Sequence, residues 1–227
     1  MIKKQIITLL ALLLLTSCAL PGVSSATPTT VPALVFITTE TPASVLPAGI
    51  PVFTPTATPV PPVAANICAD PQVPAMIDSL KKAMLNSDGA LLSSLVSPNG
   101  MEVRWVRSGN PIKYTSEQAQ FLYETTFEAD WGAEPGSGQE KMGAFHDVIV
   151  PEFKKIFNQP YTLQCNEIRH GGASYDIRWP YAKDFYSIYD AGTQQNGNLD
   201  WRTWVVGVEY VNGKPLIYAL IQFFWEP

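Results

Sequence analysis

Apolar positions follow two different periods along the chain. Between residues 70 and 157 they recur mostly every three or four positions, which predicts helices. After Pro160 the period becomes two, which predicts strands. Two long alternating runs, residues 201–211 and 216–225, lie on either side of Asn212-Gly213, a dipeptide typical of a tight β-hairpin. The pattern therefore predicts helices followed by a meander of antiparallel strands.

Local signals refine the order of elements. Asp70-Pro71 is a typical helix start, and Thr115 to Gln118 fits a capping box that predicts a helix as far as about residue 127. We expect a helix at 145–157, kinked or split at Pro151, and a loop at 128–140. Strands are predicted at 101–105, 112–114, 161–165, 175–179 and 185–189.

These elements define an α+β domain. We expect N-terminal helices packed on one face of a curved antiparallel sheet that ends in the long C-terminal hairpin. The element order over most of residues 70–227 resembles that of NTF2-like (cystatin-like α+β) domains, although no residue motif carries the likeness and the helix at 145–157 is additional. The resemblance implies a pocket on the concave face, which in such domains is enzymatic, ligand-binding or filled with side chains.

The first residues have the pattern of an export signal. Lys3 and Lys4 precede an apolar run at 6–15, which is too short to span a bilayer as a helix. Leu15-Thr16-Ser17-Cys18 resembles the lipobox of bacterial lipoprotein precursors. The resemblance implies cleavage before Cys18, a diacylglyceryl thioether on its sulfur, and a domain held by the lipid bilayer on the extracytoplasmic side. The alternative is an ordinary signal peptide with an incidental cysteine.

The composition then changes to that of a spacer. Half of the 20 prolines lie between Pro21 and Pro62, and Glu40 is the only charged residue from 19 to 66. We therefore divide the chain into a signal peptide (1–17), a lipidated cysteine with a disordered Pro/Thr-rich linker (18–66) and one globular domain (67–227). Two apolar patches, Leu34-Val35-Phe36-Ile37 and Ile50-Pro51-Val52-Phe53, are either incidental or part of a strap that docks on the domain or on a partner.

Charge and cysteine content restrict the class of protein. The formal net charge is −5, and no basic patch is present, which argues against binding of nucleic acid. With Cys18 lipidated, Cys68 and Cys165 remain for an oxidising compartment, where an even pair usually forms a disulfide. The alternative is two buried free thiols.

The sequence contains no familiar catalytic motif and only two histidines. His146 is a weak candidate for a general base, and a surface position on a helix is the preferred explanation for it. We expect it not to pair with Asp147, because neighbouring side chains on a helix point about 100° apart. Residues 190–200 carry oxygen ligands of the kind that calcium takes, but their spacing does not match an EF-hand, so no metal or cofactor is predicted.

Aromatic residues are the remaining candidates for binding. Trp179, Tyr186, Trp201 and Trp204 lie on predicted strands and fit either a ligand-binding surface or core packing. Charged residues on the same strands, such as Arg202 and Glu209, fit either ion pairs on the sheet or polar groups of a pocket.

Three functions remain open. The leading hypothesis is a surface-exposed module that binds a ligand, a glycan or another partner in the cell envelope without catalysis. A small extracytoplasmic enzyme with an NTF2-like pocket and a purely structural envelope component are the alternatives.

Overall fold

The computed structural model describes residues 66–227, so the predicted signal peptide, Cys18 and the linker up to residue 65 lie outside the described residues. The described chain is α+β, as predicted, with four α-helices and eight strands. In chain order these are α1 (Gln72–Asn86), α2 (Gly89–Leu95), β1 (Met101–Arg104), β2 (Ile112–Tyr114), α3 (Ser116–Ala119), β3 (Ala129–Ala133), β4 (Glu140–Gly143), α4 (Phe145–Phe157), β5 (Thr162–Cys165), β6 (Phe185–Asp190), β7 (Arg202–Val211) and β8 (Lys214–Phe224).

Six strands form one sheet in the order β2-β1-β8-β7-β6-β5. The predicted C-terminal hairpin is confirmed: β7 pairs with β8 across Asn212 and Gly213, whose φ angles of 53° and 77° are those that a tight hairpin turn needs. The sheet is not antiparallel throughout, because β1 pairs with β8 in parallel. Almost the whole domain separates these two strands, so no short turn dictates their relative direction.

The helices cover one face of this sheet, which we call the inner face. Carboxylates accept backbone N–H groups at the start of two of them: Asp70 accepts the Gln72 N–H of α1 at 2.8 Å, and Asp88 caps α2 by accepting the Leu91 N–H at 2.9 Å. The helix α1 contacts α2, α4 and β8, and α4 contacts β6 and β7. A continuous apolar core lies between the helices and the inner face, and it includes Ile77, Leu80, Phe153, Trp204, Val206 and Leu220.

The opposite, outer face is covered by residues 166–184, which we call the covering segment. Its apolar side chains pack on a second cluster formed by Trp201, Val205, Ile221 and Phe223. Gly171 lies so close to Trp201 that a Cβ atom there would come within 2.3 Å of the indole ring. The predicted strand at 175–179 is wrong: this stretch is irregular, and its alternating side chains serve to cover the outer face.

Two other predicted elements are corrected. The capping box at Thr115 is confirmed, but α3 ends at Ala119 instead of continuing to 127. Leu122 is buried in the core, but Phe121 and Phe127 are exposed, and a longer helix needs a continuous packed apolar face. The predicted loop at 128–140 contains β3 and the start of β4, which form a separate two-stranded sheet around glycines at positive φ. The helix predicted at 145–157 is present as α4, and it continues through Pro151 as one helix instead of being split there.

The predicted disulfide between Cys68 and Cys165 is present, with Cα atoms 5.5 Å apart. It joins the first turn of the described chain, Ile67–Ala69, to β5 at the edge of the sheet. The first residues of the described chain are therefore fixed to the β5 edge. Among residues 66–227, no helix combines the length and the apolar character that crossing a membrane requires.

Candidate functional site

The four aromatic candidates lie in separate environments. Tyr186 and Trp204 face the inner core, where the Tyr186 hydroxyl donates to the Ile67 carbonyl at 3.2 Å. Trp201 and Trp179 belong to the outer face, and their indole N–H groups donate to the carbonyls of Gly172 and Lys183. The structure therefore does not bring the four rings together into one binding surface.

His146 lies in the first turn of α4 and lines none of the clefts described below. Its Nε2 is 3.4 Å from the Asp147 carboxylate, which contradicts our expectation that the two side chains do not pair. Directions of neighbouring Cβ atoms differ by about 100° on a helix, but Nε2 is the imidazole atom far from the Cβ of His146 and reaches the Asp147 carboxylate. No described residue accepts from or donates to the buried Nδ1 atom.

The loop that offers calcium-type ligands is closed by its own hydrogen bonds. Asp200 accepts the Thr193 N–H at 2.7 Å, the Thr193 hydroxyl at 2.9 Å and the Asn196 amide at 2.9 Å. These bonds lower the pKa of Asp200 to about 2, with the Thr193 N–H as the largest contribution. Among the described residues no cluster of three or more metal-ligating side chains is found. The carboxylate that the sequence suggested for calcium thus holds the loop together.

A polar cleft opens where α4 crosses the start of β7 and the end of β8. We call it the Glu152 cleft. It has a volume of about 190 Å³ and is lined by Trp105, Glu134, Glu152, Lys155, Arg202 and Phe224. Helix α4 supplies Glu152 and Lys155 one turn apart, so both project to the same side. Arg202, the first residue of β7, projects from the sheet towards them.

The Glu152 carboxylate organises the cleft. One oxygen accepts the Arg202 guanidinium at 2.9 Å and the Gln222 amide at 3.2 Å, and the other accepts the Lys155 ammonium at 2.6 Å. The side chains of Glu152 and Arg202 are only 16% and 19% exposed, so water screens this pair less than a surface ion pair. Three donors from a helix and two strands thus converge on one carboxylate.

Two buried polar atoms of the inner face have no hydrogen-bond partner among the described residues. They are Oε1 of Gln222 and Nε1 of Trp204, and both residues are fully buried. The two side chains are directly opposite each other on β8 and β7 and so share the inner face. Leaving such a group unpaired costs about 1 to 3 kcal/mol, so buried polar groups without a protein partner usually bind water or a ligand.

The charges that line the cleft balance. Glu134 and Glu152 oppose Lys155 and Arg202, and the remaining lining residues are aromatic. A larger polar basin of about 450 Å³ adjoins the cleft, because Lys155 and Arg202 line both. The basin is bordered by the loop that Asp200 holds in place. Together these cavities suit an uncharged ligand with many hydrogen-bonding groups.

Two further carboxylates line a pocket on the outer face. The Glu102 carboxylate accepts the Tyr181 hydroxyl, and the Glu209 carboxylate accepts the Ser97 hydroxyl and the Lys183 ammonium. Burial raises the pKa of Tyr181 to about 12, and the hydrogen bond to Glu102 acts in the same direction. Burial alone would raise the pKa of Glu209, but the bonds from Lys183 and Ser97 outweigh it and lower the value. The bonds from Tyr181 and Lys183 fasten the covering segment to the sheet, and together with the Ser97 bond they occupy both carboxylates.

Sequence reasoning identified one member of the Glu152 cleft and missed the others. Arg202 was noted as a charged residue on a predicted strand, and it was interpreted either as part of an ion pair on the sheet or as a polar group of a pocket. Glu152 and Lys155 had the ordinary pattern of an exposed helix face, and Gln222 lay within an apolar strand. A polar residue among apolar neighbours on the inner face of β8 was the one available signal.

No protein-family model matches the chain, and no curated protein matches it. Among solved structures, it is similar to one described as a calcium/calmodulin-dependent protein kinase II association domain from Xanthomonas campestris. The two chains are 11% identical, and the match covers 69% of this chain and 86% of the other with a TM-score of 0.24. A superposition this loose carries no argument about function. The NTF2-like likeness therefore continues to rest on element order.

Proposed function

We propose that this protein is a lipid-anchored surface protein whose domain binds a neutral glycan of the cell envelope, without catalysis, in the Glu152 cleft. The observation that carries the proposal is the convergence of Arg202, Lys155 and Gln222 on one carboxylate, in a cleft that Trp105 and Phe224 also line. This arrangement offers donors and acceptors in fixed positions, which is what a small polar ligand requires.

A sugar matches the chemistry of the cleft better than an ion does. Its hydroxyl groups both donate and accept, and the faces of its ring are largely C–H, which pack on aromatic side chains. Trp105 and Phe224 supply aromatic surface beside the polar groups. Because the two acidic and the two basic lining residues balance, the cleft gives no electrostatic advantage to a charged ligand.

The state of Glu152 favours binding over catalysis. Both oxygens of its carboxylate already accept hydrogen bonds from Lys155, Arg202 and Gln222, so neither oxygen is free to act on a bound substrate. The alternative function, a small extracytoplasmic enzyme, has one supporting observation: Glu134 and Glu152 line the same cleft, and paired carboxylates perform glycoside hydrolysis. Release of reducing sugar from a bound oligosaccharide, lost in Glu152→Gln, would establish that alternative.

The anchor is supported by the leader and by Leu15-Thr16-Ser17-Cys18. Each buried methylene contributes about 0.8 kcal/mol, so two or three acyl chains give a stable membrane attachment. The linker then holds the acidic domain away from an anionic bilayer.

The anchor is tested by intact mass spectrometry of the protein extracted from membranes. We expect a chain that begins at Cys18 and carries the mass of a diacylglyceryl group and one further acyl chain. The variant Cys18→Ser should lack the lipid mass and leave the membrane fraction. An unmodified Cys18 in the wild-type protein would contradict the proposal.

The cleft is tested by calorimetric titration with oligosaccharides released from the cell envelope. We expect saturable binding that weakens at least tenfold in Arg202→Met, because a hydrogen bond from a charged group contributes about 1.5 to 3 kcal/mol. The variant Arg178→Met is the matched control, since Arg178 is 81% exposed and pairs with Asp176 in the covering segment on the outer face. Its affinity should equal that of the wild-type protein.

Two outcomes of this titration would contradict the proposal. Equal affinity of Arg202→Met and the wild-type protein would exclude the Glu152 cleft as the site. No saturable binding to any envelope glycan would remove the proposed ligand class and favour the purely structural alternative. Circular dichroism of each variant establishes that the comparison is made between folded proteins.

A further inference from the structure

An apolar groove lies beside β2, the last strand at one edge of the main sheet, and we call it the β2 groove. It has a volume of about 420 Å³ and shares no lining residue with the Glu152 cleft. Its apolar lining is supplied by Ile112, Tyr114, Phe121, Leu122, Phe127 and Phe145. Phe121 and Phe127 are 54% and 65% exposed, and they are two of the four large apolar side chains that the described residues expose. Exposed apolar side chains that cluster around a groove mark a contact surface.

The floor of the groove is preformed. Tyr114 and Phe145 pack edge to face with their ring centroids 5.7 Å apart, and both side chains are buried. Phe145 also packs edge to face against Tyr123, at 6.2 Å between centroids. An entering side chain therefore meets aromatic rings that are already held in place, which lowers the entropic cost of binding.

The backbone beside the groove is open. Strand β2 pairs only with β1, and among residues 66–227 its backbone makes no hydrogen bond to the backbone of any other element. One row of N–H and C=O groups is therefore available along this edge. An extended peptide placed there gains backbone hydrogen bonds from β2 and sends alternate side chains to the inner face, where the groove lies.

Lys113 indicates which charge such a peptide carries. It is the middle residue of β2 and the only charged residue that lines the groove. Lys113 is directly opposite Glu102 on β1, but the Glu102 carboxylate already accepts the Arg104 guanidinium at 2.8 Å and the Tyr181 hydroxyl. Within the described part of the chain Lys113 makes no ion pair. An acidic residue opposite Lys113 on an added strand would supply one.

We propose that the β2 groove binds an extended peptide segment of another protein in which an acidic residue lies between two apolar residues. The peptide adds a strand to β2, its acidic side chain lies opposite Lys113, and its two apolar side chains enter the groove beside Tyr114 and Phe145. Successive strand residues point to opposite faces, so this alternating pattern matches both features at once.

A second copy of this chain fits the edge less well than a peptide of that pattern. Antiparallel pairing of two copies over the whole of β2, Ile112–Tyr114, would set Lys113 of one copy opposite Lys113 of the other. Like charges directly opposite each other in a sheet are destabilising. The charge on β2 therefore favours an acidic partner over self-association.

Fluorescence anisotropy of labelled synthetic peptides, titrated with the full chain in detergent micelles, tests this proposal. The probe is Ser-Thr-Phe-Glu-Val-Thr-Ser, and Ser-Thr-Phe-Lys-Val-Thr-Ser differs from it only in the charge. We expect saturable binding of the glutamate peptide, about fivefold tighter than that of the lysine peptide, because the latter replaces an attractive cross-strand pair by a repulsive one. The variant Lys113→Glu should reverse this preference.

Two further variants test the groove itself. Phe127→Ser removes an apolar side chain that is 65% exposed, so the fold does not depend on it. It should weaken binding of the glutamate peptide at least fivefold, because the peptide then buries less apolar surface. Leu199→Ser is the matched control, since Leu199 is 47% exposed and does not line the groove. Its affinity should equal that of the wild-type protein.

Four results would overturn the proposal. No saturable binding of the glutamate peptide at millimolar protein would remove the proposed partner. Equal affinities of the two peptides, for both the wild-type protein and Lys113→Glu, would exclude the pairing with Lys113. An unchanged affinity in Phe127→Ser would place the peptide outside the groove. Self-association of the chain without peptide, abolished in Phe127→Ser, would assign the groove to a second copy.

Discussion

Replacing both disulfide cysteines, in Cys68→Ser/Cys165→Ser, will lower the free energy of unfolding by about 4 kcal/mol. The bond closes a loop between residues 97 positions apart, and a loop of this length restricts the unfolded chain by about 4 to 5 kcal/mol. Native interactions at the bond are few, since β5 lies at the edge of the sheet and pairs only with β6. The loss of stability should therefore come mainly from the greater conformational freedom of the unfolded chain without the disulfide.

Urea denaturation of the full chain, monitored by tryptophan fluorescence, measures this effect. The wild-type protein treated with a reducing agent should unfold at the same urea concentration as the double variant, because both lack the cross-link. A decrease below about 1 kcal/mol would mean that the bond hardly restricts the unfolded chain, as happens when that state retains structure.

Glu152→Ala is expected to have the next largest effect, a loss of about 2 to 3 kcal/mol in the free energy of unfolding. The substitution leaves the Arg202 charge and the Gln222 amide without their shared acceptor. Removing one partner of a fully buried ion pair costs about 3 to 5 kcal/mol. The loss expected for Glu152→Ala is smaller because the side chains of Glu152 and Arg202 are partly exposed. Chemical denaturation is again the measurement.

Two variants separate this effect from a general weakening of the cleft. Glu134→Ala removes an exposed carboxylate from the same lining and should change stability by less than about 0.5 kcal/mol. Glu152→Met/Arg202→Met removes both charges and should recover most of the loss, because apolar residues replace a buried ion pair at little cost. A double variant as unstable as Glu152→Ala would show that the unpaired charge is not the cause.

The sequence predicted those parts of the fold whose signals are local. The helical period located α1 and α4, the capping box located the start of α3, and Asn212-Gly213 located the C-terminal hairpin. Where several glycines interrupt the pattern, as between Ala129 and Gly143, no period was visible and the β3–β4 pair was missed. Apolar and polar residues alternate in 175–179 as they do in a strand, but this stretch packs on the outer face of the sheet without joining it. Such alternation indicates that one side of an extended segment is buried, and it does not indicate which backbone groups form hydrogen bonds.

The candidate site was less predictable because its members meet only through tertiary packing. Glu152 and Arg202 are brought together by the crossing of α4 over β7, and Gln222 joins them through the β7–β8 register. Neither feature is visible in the local pattern of an amphipathic helix or an apolar strand. The disulfide was predictable because the expectation that two cysteines pair depends on an oxidising compartment and not on the fold.

The most direct test of glycan binding in the Glu152 cleft is the NMR signal of each tryptophan indole N–H during titration with envelope oligosaccharides. Trp105 lines the cleft and Trp204 is buried opposite Gln222, which donates to Glu152, whereas the Trp201 N–H donates to the Gly172 carbonyl at 2.8 Å on the outer face. We predict that the Trp204 and Trp105 signals shift in a saturable manner and that the Trp201 signal does not move. A shift confined to Trp201 and Trp179, or no shift at all, would contradict the proposed site.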